Sequence, residues 1–466
     1  KGKTNLKEIR FSETGLRTIG GYAFENCTAL TNVVPFLPPT LTSLGTTAFQ
    51  TCSALVSPVL IITNLTVINA SSFARAYGVK QVYASSNLTS IGGAAFKYCK
   101  ITNFVPLLPP TCKTVGGDAF SNGGILTNQC LDARNVTSLG YLAFSGTKIA
   151  EVLLNPNITA LDSVFGYCSA LTNVTPFLPP GVKTLGSGVF RDCTSLRGDL
   201  CITNVTSIPA TALYKTKITS VRLSEKLTAI GDDAFNGCLN LTSVTPFLPD
   251  TLKSLGSSPL AYIPCTGRLR IGPDFRNIGY KAFKYNQFEE LEMSCGVTNI
   301  GGEAFWSCSA LTNVFVSREN CRPRASAGCA IANSFSSGCG KLASVEFPFT
   351  SPLKATAAPF AGCTALKRIK FFGPAFVDNG TFGVTGPSAY KYTIYCSKEQ
   401  DEAGWRALAD AGSPTAAEKE RSDYPGGKTF GTITRSGSGT TNTIVKAWLV
   451  WESSPYDAGG TLFFVR

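Results

Sequence analysis

A phenylalanine returns along this chain at intervals of 21 to 30 residues: Phe24, Phe49, Phe73, Phe96, Phe120, Phe144, Phe165, Phe190, Phe235, Phe283, Phe305, Phe335 and Phe360, with Leu213 and Leu260 filling two gaps. A period of this length means a stack of small units, each unable to bury its own apolar face and each covered by its neighbours. The phrase around the anchor is nearly constant. Five residues ahead stands an aliphatic side chain (Ile19, Leu44, Ile91, Leu139, Ile230, Ile300), usually followed by glycine (Gly20, Gly45, Gly92, Gly140, Gly231, Gly301). Three residues behind the anchor cysteine recurs, at Cys27, Cys52, Cys99, Cys168, Cys193, Cys238, Cys308 and Cys363. A longer period lies on top: proline bends beginning at Pro35, Pro106, Pro176 and Pro246 fall 71, 70 and 70 residues apart, so three short repeats make one larger block.

Alternating apolar residues after the cysteine predict one short strand per repeat, at 30–34, 79–84, 101–105, 149–154, 171–175, 218–223, 241–245, 288–293, 311–316, 342–347 and 366–372. If Val221 and Leu223 point inward, Ser220 and Arg222 point out, and outward rows then pave a sheet face. Solenoids use that broad surface for binding. The candidate contact residues on it are Tyr83, Arg222, Glu290, Glu292, Phe315, Glu346, Arg368 and Lys370. The competing reading is a solvated face with cross-strand ion pairs, each worth little. Phe36, Leu107, Phe177 and Phe247 recur in the proline bends, either as an exposed apolar ridge or tucked beneath their own bends.

The phrase aliphatic-Gly-x-x-Ala-Phe-x-x-Cys-x-x-Leu-x-x-Val, met over a dozen times between about residues 6 and 396, resembles the BspA-like class of leucine-rich repeats. The resemblance implies a right-handed parallel solenoid, mainly parallel β with short helical or 3-10 turns, here of about 15 repeats of 21–30 residues. It also implies display at a cell surface or secretion, and binding of host or matrix macromolecules, protein or glycan. The extended Pro-x-Leu-Pro bends and the irregular stretch 317–338 depart from the family pattern.

Histidine is absent, which removes Ser-His-Asp, Cys-His and His-ligated metal chemistry together. No cofactor or metal motif is present. Gly426-Gly427-Lys428-Thr429 fails as a phosphate loop, because Ser422 stands where the first glycine is needed. The net charge of +12 is spread without a Lys/Arg run, and nothing else points to nucleic acid. Charged residues make up only 15% of the chain, so Thr, Ser and Asn carry the surface polarity. Seventeen cysteines are an odd number, and the column behind the anchors reads as core filling by a small apolar side chain. Cys321, Cys329 and Cys339 lie where the period breaks and are candidates for one disulfide.

The organisation expected is a solenoid over 1–396, a capping helix over 397–412 with Trp405 and Leu408 facing the last repeat, a linker over 413–427 and a small β-rich tail over 428–466. The tail's strand-like pieces are 429–434, 443–451 and 461–465. No apolar run is long enough to span a membrane, and the start at Lys1 is consistent with a leader already removed. The expectation is a monomeric, non-catalytic, extracellular or surface binding protein. A structural spacer displaying the tail is the alternative, and a histidine-independent enzyme a remote third.

Overall fold

The computed structural model describes residues 2–12, 15–34, 37–56, 59–123, 130–245, 247–294, 296–317, 329–335 and 337–347, then 353–355, 360, 362–366, 368–371, 392–397, 428–433 and 445–452. For 329, 330, 347, 353–355 and everything from 368 onward only the backbone is described. The protein is a parallel β-solenoid of about 13 turns. It divides into two compact units, Lys1–Ser224 with Ala234–Val244, and Glu225–Asp233 with Thr245–Arg466.

Each turn contributes to three hydrogen-bonded layers. The main layer contains, in the first unit, strands such as Asn32–Val34, Val59–Ile62, Gln81–Ala84, Asn103–Val105, Glu151–Leu154 and Lys217–Arg222. In the second unit it contains Arg268–Arg270, Glu290–Met293, Asn313–Val316, Ser344–Phe347, Arg368–Phe371 and Tyr392–Ser397. Pairing between successive turns is parallel, as it must be when the chain returns in the same direction each time.

The second layer is made of two-residue strands at the aliphatic position, among them Val67–Ile68, Ser90–Ile91, Thr114–Val115 and Ser138–Leu139 in one four-stranded sheet. The glycine that follows has a steric cause. A Cβ on Gly45, Gly116 or Gly140 would collide with the backbone nitrogen of Gly21, Gly93 or Gly117 in the turn before.

The third layer runs through the turns that carry the anchors. Residues two before and two after the anchor are left-handed whatever their side chain: Tyr22 and Asn26, Ala94 and Tyr98, Asp118 and Asn122, Lys281 and Tyr285 all have φ between 48° and 64°. Single residues there cost about 1–2 kcal/mol each relative to right-handed backbone. The return is a regular ladder. The N–H groups of residues −2, 0 and +2 all donate to the next turn, as in Tyr22 to Thr46 O at 3.0 Å, Phe24 to Ala48 O at 2.8 Å and Asn26 to Gln50 O at 2.8 Å.

This alternation also corrects the expectation of short helical or 3-10 turns: among the described residues there is no helix of either kind. Each left-handed residue sends its own N–H to the next turn, as Ala94 does to Gly117 O and Tyr98 to Ser121 O, so no run of i to i+4 bonds can propagate.

Inside, the anchors stack. Phe49, Phe73, Phe96, Phe120 and Phe144 follow one another with ring centroids 5.9, 5.4, 5.5 and 5.2 Å apart and planes within 15°. In the second unit Phe283, Phe305, Phe335 and Phe360 do the same at 5.4, 4.9 and 5.7 Å. Each ring is fully buried, a gain of roughly 1.5–3 kcal/mol apiece.

The cysteine column is buried as read from the sequence, and it also donates hydrogen bonds. The Cys52 thiol donates to Phe24 O at 3.1 Å, Cys99 to Phe73 O at 2.9 Å, Cys193 to Phe165 O at 3.0 Å and Cys308 to Phe283 O at 3.2 Å. These carbonyls already accept the N–H three residues on, so the thiol satisfies their second lone pair. Where the column lacks cysteine, another small donor takes over. Thr147 Oγ1 donates to Phe144 O at 2.8 Å, and Asn286 Nδ2 donates to Leu260 O at 2.8 Å. Cys339 joins this column although its turn is one residue longer, its thiol 3.0 Å from Phe305 O. It is a buried free thiol, which sets it apart from the three-cysteine cluster; Cys321 and the Cys329 side chain lie outside the described residues.

All eleven predicted strands form, and all but the one at 218–223 begin two residues late. The leading leucine makes a corner instead: Leu30, Leu171 and Leu311 donate their N–H to Cys27, Cys168 and Cys308 O. Strands Val59–Ile62, Cys130–Ala133, Arg197–Cys201 and Arg268–Arg270 were not anticipated; ahead of Cys130 and Arg268 the repeat phrase has lost its cysteine, to Gly123 and Ile263. In the proline bends, Phe177 tucks edge-on against its own anchor Phe190, centroids 5.4 Å apart, while Phe36 lies outside the described residues.

Of the tail, Val445–Glu452 pairs parallel with Tyr392–Ser397, and Lys428–Ile433 pairs antiparallel with Val445–Glu452. The sheet edge is thus covered by strand. The predicted capping helix, the linker and the piece at 461–465 lie outside the described residues.

Candidate sheet-face binding site

In the second unit the main sheet buries Leu269, Leu291, Val314 and Val345 in register and turns its alternate residues outward. One outward row runs Arg268, Glu290, Asn313, Ser344, and the other begins Arg270, Glu292, Phe315. Of the residues expected from sequence, the structure brings Glu290, Glu292 and Phe315 together. It does so around two arginines that sequence reasoning missed.

Arg268 is the hub. Its Nε donates to Glu290 Oε2 at 2.8 Å, one terminal nitrogen lies 3.8 Å from Glu292 Oε2, and the guanidinium carbon sits 5.1 Å from the centre of the Phe315 ring. Arg270 lies 4.0 Å from Glu292 and 3.8 Å from Asp250. The Glu292 side chain is 15% exposed, while Arg268 keeps 56% of its side-chain surface open. Each ion pair is worth no more than about 1 kcal/mol at this exposure. Their effect is on geometry: a guanidinium held over an aromatic ring by two carboxylates is already ordered, so a partner need not order it. Glu346 accepts the Val316 N–H at 3.2 Å on the next strand. Arg368 and Lys370 are in register with Ser344 and Glu346, with only their backbone described.

Tyr83 and Arg222 belong to the first unit. Tyr83 lies between Ile61 and Val105 in register, and the three are 41%, 54% and 46% exposed. Beside this row a cleft of about 470 Å³ is lined by Val34, Leu37, Pro38, Leu41 and Ile61. Arg222 is exposed and in register with Cys201, past a bulge at Gly198–Asp199.

Two arginines paired to three carboxylates, Glu290, Glu292 and Asp250, make a charged surface that can bind the polar groups of a partner. Among the described residues no group of three or more His, Cys, Asp or Glu could hold a metal ion, and no helix is long and apolar enough to cross a membrane. The column thiols are likewise inert. Burial pushes Cys99 and Cys238 up to about 12, against the ordinary 9.0, which removes nearly all thiolate at neutral pH.

The signal for Arg268 and Arg270 was present in the sequence, as Arg-Leu-Arg-Ile alternating across 268–271. It was masked because this repeat carries Leu260 in place of the phenylalanine and Ile263 in place of the cysteine.

Comparison with solved structures finds a leucine-rich repeat protein from Bacteroides ovatus at 20% identity, covering 84% of this chain and 88% of that one, with a TM-score of 0.39. A leucine rich cell surface protein from Faecalibacterium prausnitzii is 17% identical over 79% of each chain, TM-score 0.32. The pneumococcal vaccine antigen PcpA is 16% identical over 84% of each chain, TM-score 0.35. No curated protein matches the chain. Residues 1–127, 106–208 and 206–330 match the BspA type leucine rich repeat region, in 6 copies. With that match over more than half its length, the chain belongs to the BspA type leucine-rich repeat family.

Proposed function

We propose that this is a non-catalytic binding protein of the cell surface or extracellular space, whose second-unit sheet face engages a protein partner. The observation that carries the reading is the Arg268 cluster, in which Glu290, Glu292 and Phe315 pre-order an open guanidinium. Arginine is among the residues enriched at the energetic centres of protein–protein contacts. A protein is favoured over a repetitive ligand because no two neighbouring strands present the same pair: Arg268 and Arg270, Glu290 and Glu292, then Asn313 and Phe315. Surface location is supported by family membership and by surface relatives of the same fold.

The test is binding of the full chain to an array of extracellular matrix and host-surface proteins. At least one specific partner is expected, and Arg268→Glu with Phe315→Ala should weaken it tenfold or more. Binding indifferent to that pair, or none at all, would sink the reading.

A further inference from the structure

One stretch of the first unit breaks a spacing kept elsewhere. In the turns of Leu30, Ile101, Leu171 and Leu311 the first inward strand residue stands three places on, at Val33, Phe104, Val174 and Val314. From Leu196 to the buried Leu200 the interval is four, and the residues between are Arg197, Gly198 and Asp199. Pairing with the next turn jumps at the same point, from Gly198 opposite Ile218 to Asp199 opposite Ser220. All three residues are exposed. Gly198 has φ 106° with open space where a side chain would stand, a backbone shape that glycine adopts without strain.

The two charges of this bulge stay apart. At the same two-residue spacing Arg10 closes on Glu8 at 2.7 Å and Arg134 on Asp132 at 2.6 Å, each pair neutralising itself. Arg197 does not close on Asp199. Its Nε lies 3.5 Å from Ser195 O, and among the described residues it pairs with no carboxylate. Asp199 Oδ1 accepts the hydroxyls of Thr219 at 3.2 Å and Ser220 at 2.5 Å, which orient the carboxylate without supplying a positive charge. The bulge thus presents a guanidinium and an oriented carboxylate to solvent, on α-carbons no more than about 7 Å apart.

Those two groups define what can bind them. A guanidinium is gripped best by a carboxylate, which takes its N–H groups in pairs. A carboxylate oriented by hydroxyls suits a cation, and its hard oxygens suit a divalent one. Asp199 does not hold such an ion alone: among the described residues no group of three or more His, Cys, Asp or Glu could hold a metal. The ion has to come with the partner. We infer that Arg197-Gly198-Asp199 is a docking site for a metal-dependent adhesion receptor. The Asp199 carboxylate completes the shell of a divalent cation held by that receptor, and the Arg197 guanidinium enters an acidic pocket beside it. Integrins are receptors of this kind. The site lies in the first unit and does not depend on the Arg268 cluster of the second.

The test is binding of the full chain to immobilised ectodomains of the fibronectin-receptor and vitronectin-receptor integrins, in Mn2+ and again in EDTA. Saturable binding to at least one is expected in Mn2+, and none in EDTA. A short Arg-Gly-Asp peptide should displace the unmutated chain, and its Arg-Gly-Glu counterpart should not. Asp199→Glu, which keeps the charge but moves it by a methylene, should weaken binding tenfold or more; Arg268→Glu should leave it unchanged. The inference is overturned if neither receptor binds, if binding survives EDTA, or if Asp199→Glu or the Arg-Gly-Asp peptide has no effect. Binding lost with Arg268→Glu would assign the contact to the second-unit face and overturn it as well.

Discussion

Along the ring column, turn after turn repeats one solution: a phenylalanine between two others, a small donor three residues on, a glycine where backbones meet. Along the sheet face asparagine returns at 32, 103, 173 and 313, but neighbouring turns differ from one another. Ile61, Tyr83 and Val105 stand in one row in the first unit, and Arg268, Glu290 and Asn313 in one row of the second. Both sets of residues come from the same strands and turns, so folding alone does not demand variety outside. An interior residue meets its own counterparts in the next turns, which fixes its identity. An outward residue meets solvent or a partner, and is free to differ wherever the partner differs.

The largest expected effect tests the column. Phe96 stacks on Phe73 and Phe120 and meets Phe104 edge-on at 5.4 Å, so Phe96→Ala should cost about 3–5 kcal/mol in urea unfolding. Tyr83→Ala, on the outer row, should stay within about 0.5 kcal/mol. Similar costs at the two positions would erase the distinction.

A second test is alkaline pH. Folding keeps Cys99, Cys168 and Cys238 neutral, with values pushed up to about 12, 11 and 12 by burial, whereas unfolded thiols ionise near 9.0. A raised folded value means the contribution is fully present below pH 9 and lost above it. Each thiol should remove about 1 kcal/mol between pH 9 and pH 10, together about 3 kcal/mol, read as a fall in urea midpoint. A flat profile across that interval would show that these thiols are not buried.

Smaller, and opposite in sign, is the effect of glycine in the ladder. Ala94 has φ 53°, so Ala94→Gly should raise stability by up to about 1 kcal/mol, where glycine ordinarily lowers it. Thermal melting decides it, and a loss would contradict the left-handed geometry. The smallest expected change is on the sheet face, where Arg268→Ala should alter stability by less than about 1 kcal/mol. A larger loss would make the arginine a structural element and weaken its case as a contact residue.

How legible each region was in the sequence follows from the same contrast. Period, strands and buried cysteines could be read because each residue of the column is repeated many times over. The turn conformation could not. Left-handed backbone is ordinarily marked by glycine, yet the ladder imposes it on Tyr22, Ala94, Lys281 and Glu303 alike. The candidate site was half legible: Glu290, Glu292 and Phe315 follow from strand alternation, whereas Arg268 lay in a repeat that had lost its two markers.

That ladder has an electrostatic consequence. Ala48 C=O and Phe49 N–H are one peptide group, which accepts from Phe24 and donates to Ser72 O; the next group does the same, through nine successive bonds to Ala234 in the first unit. A parallel string runs from Asn26 to Asn236. Peptide dipoles of about 3.5 D therefore align head to tail, as in a helix and unlike the alternating dipoles of a sheet. Bundled strings of this kind amount to roughly half an elementary charge at each end. The N–H groups point towards later turns, so the negative end lies at the turn of Phe24. There Gly2 donates its N–H to Glu25 O at 2.7 Å, and its segment carries Lys3 and Lys7. The first unit is thus polarised along its axis, with its opening lysines at the end that attracts cations.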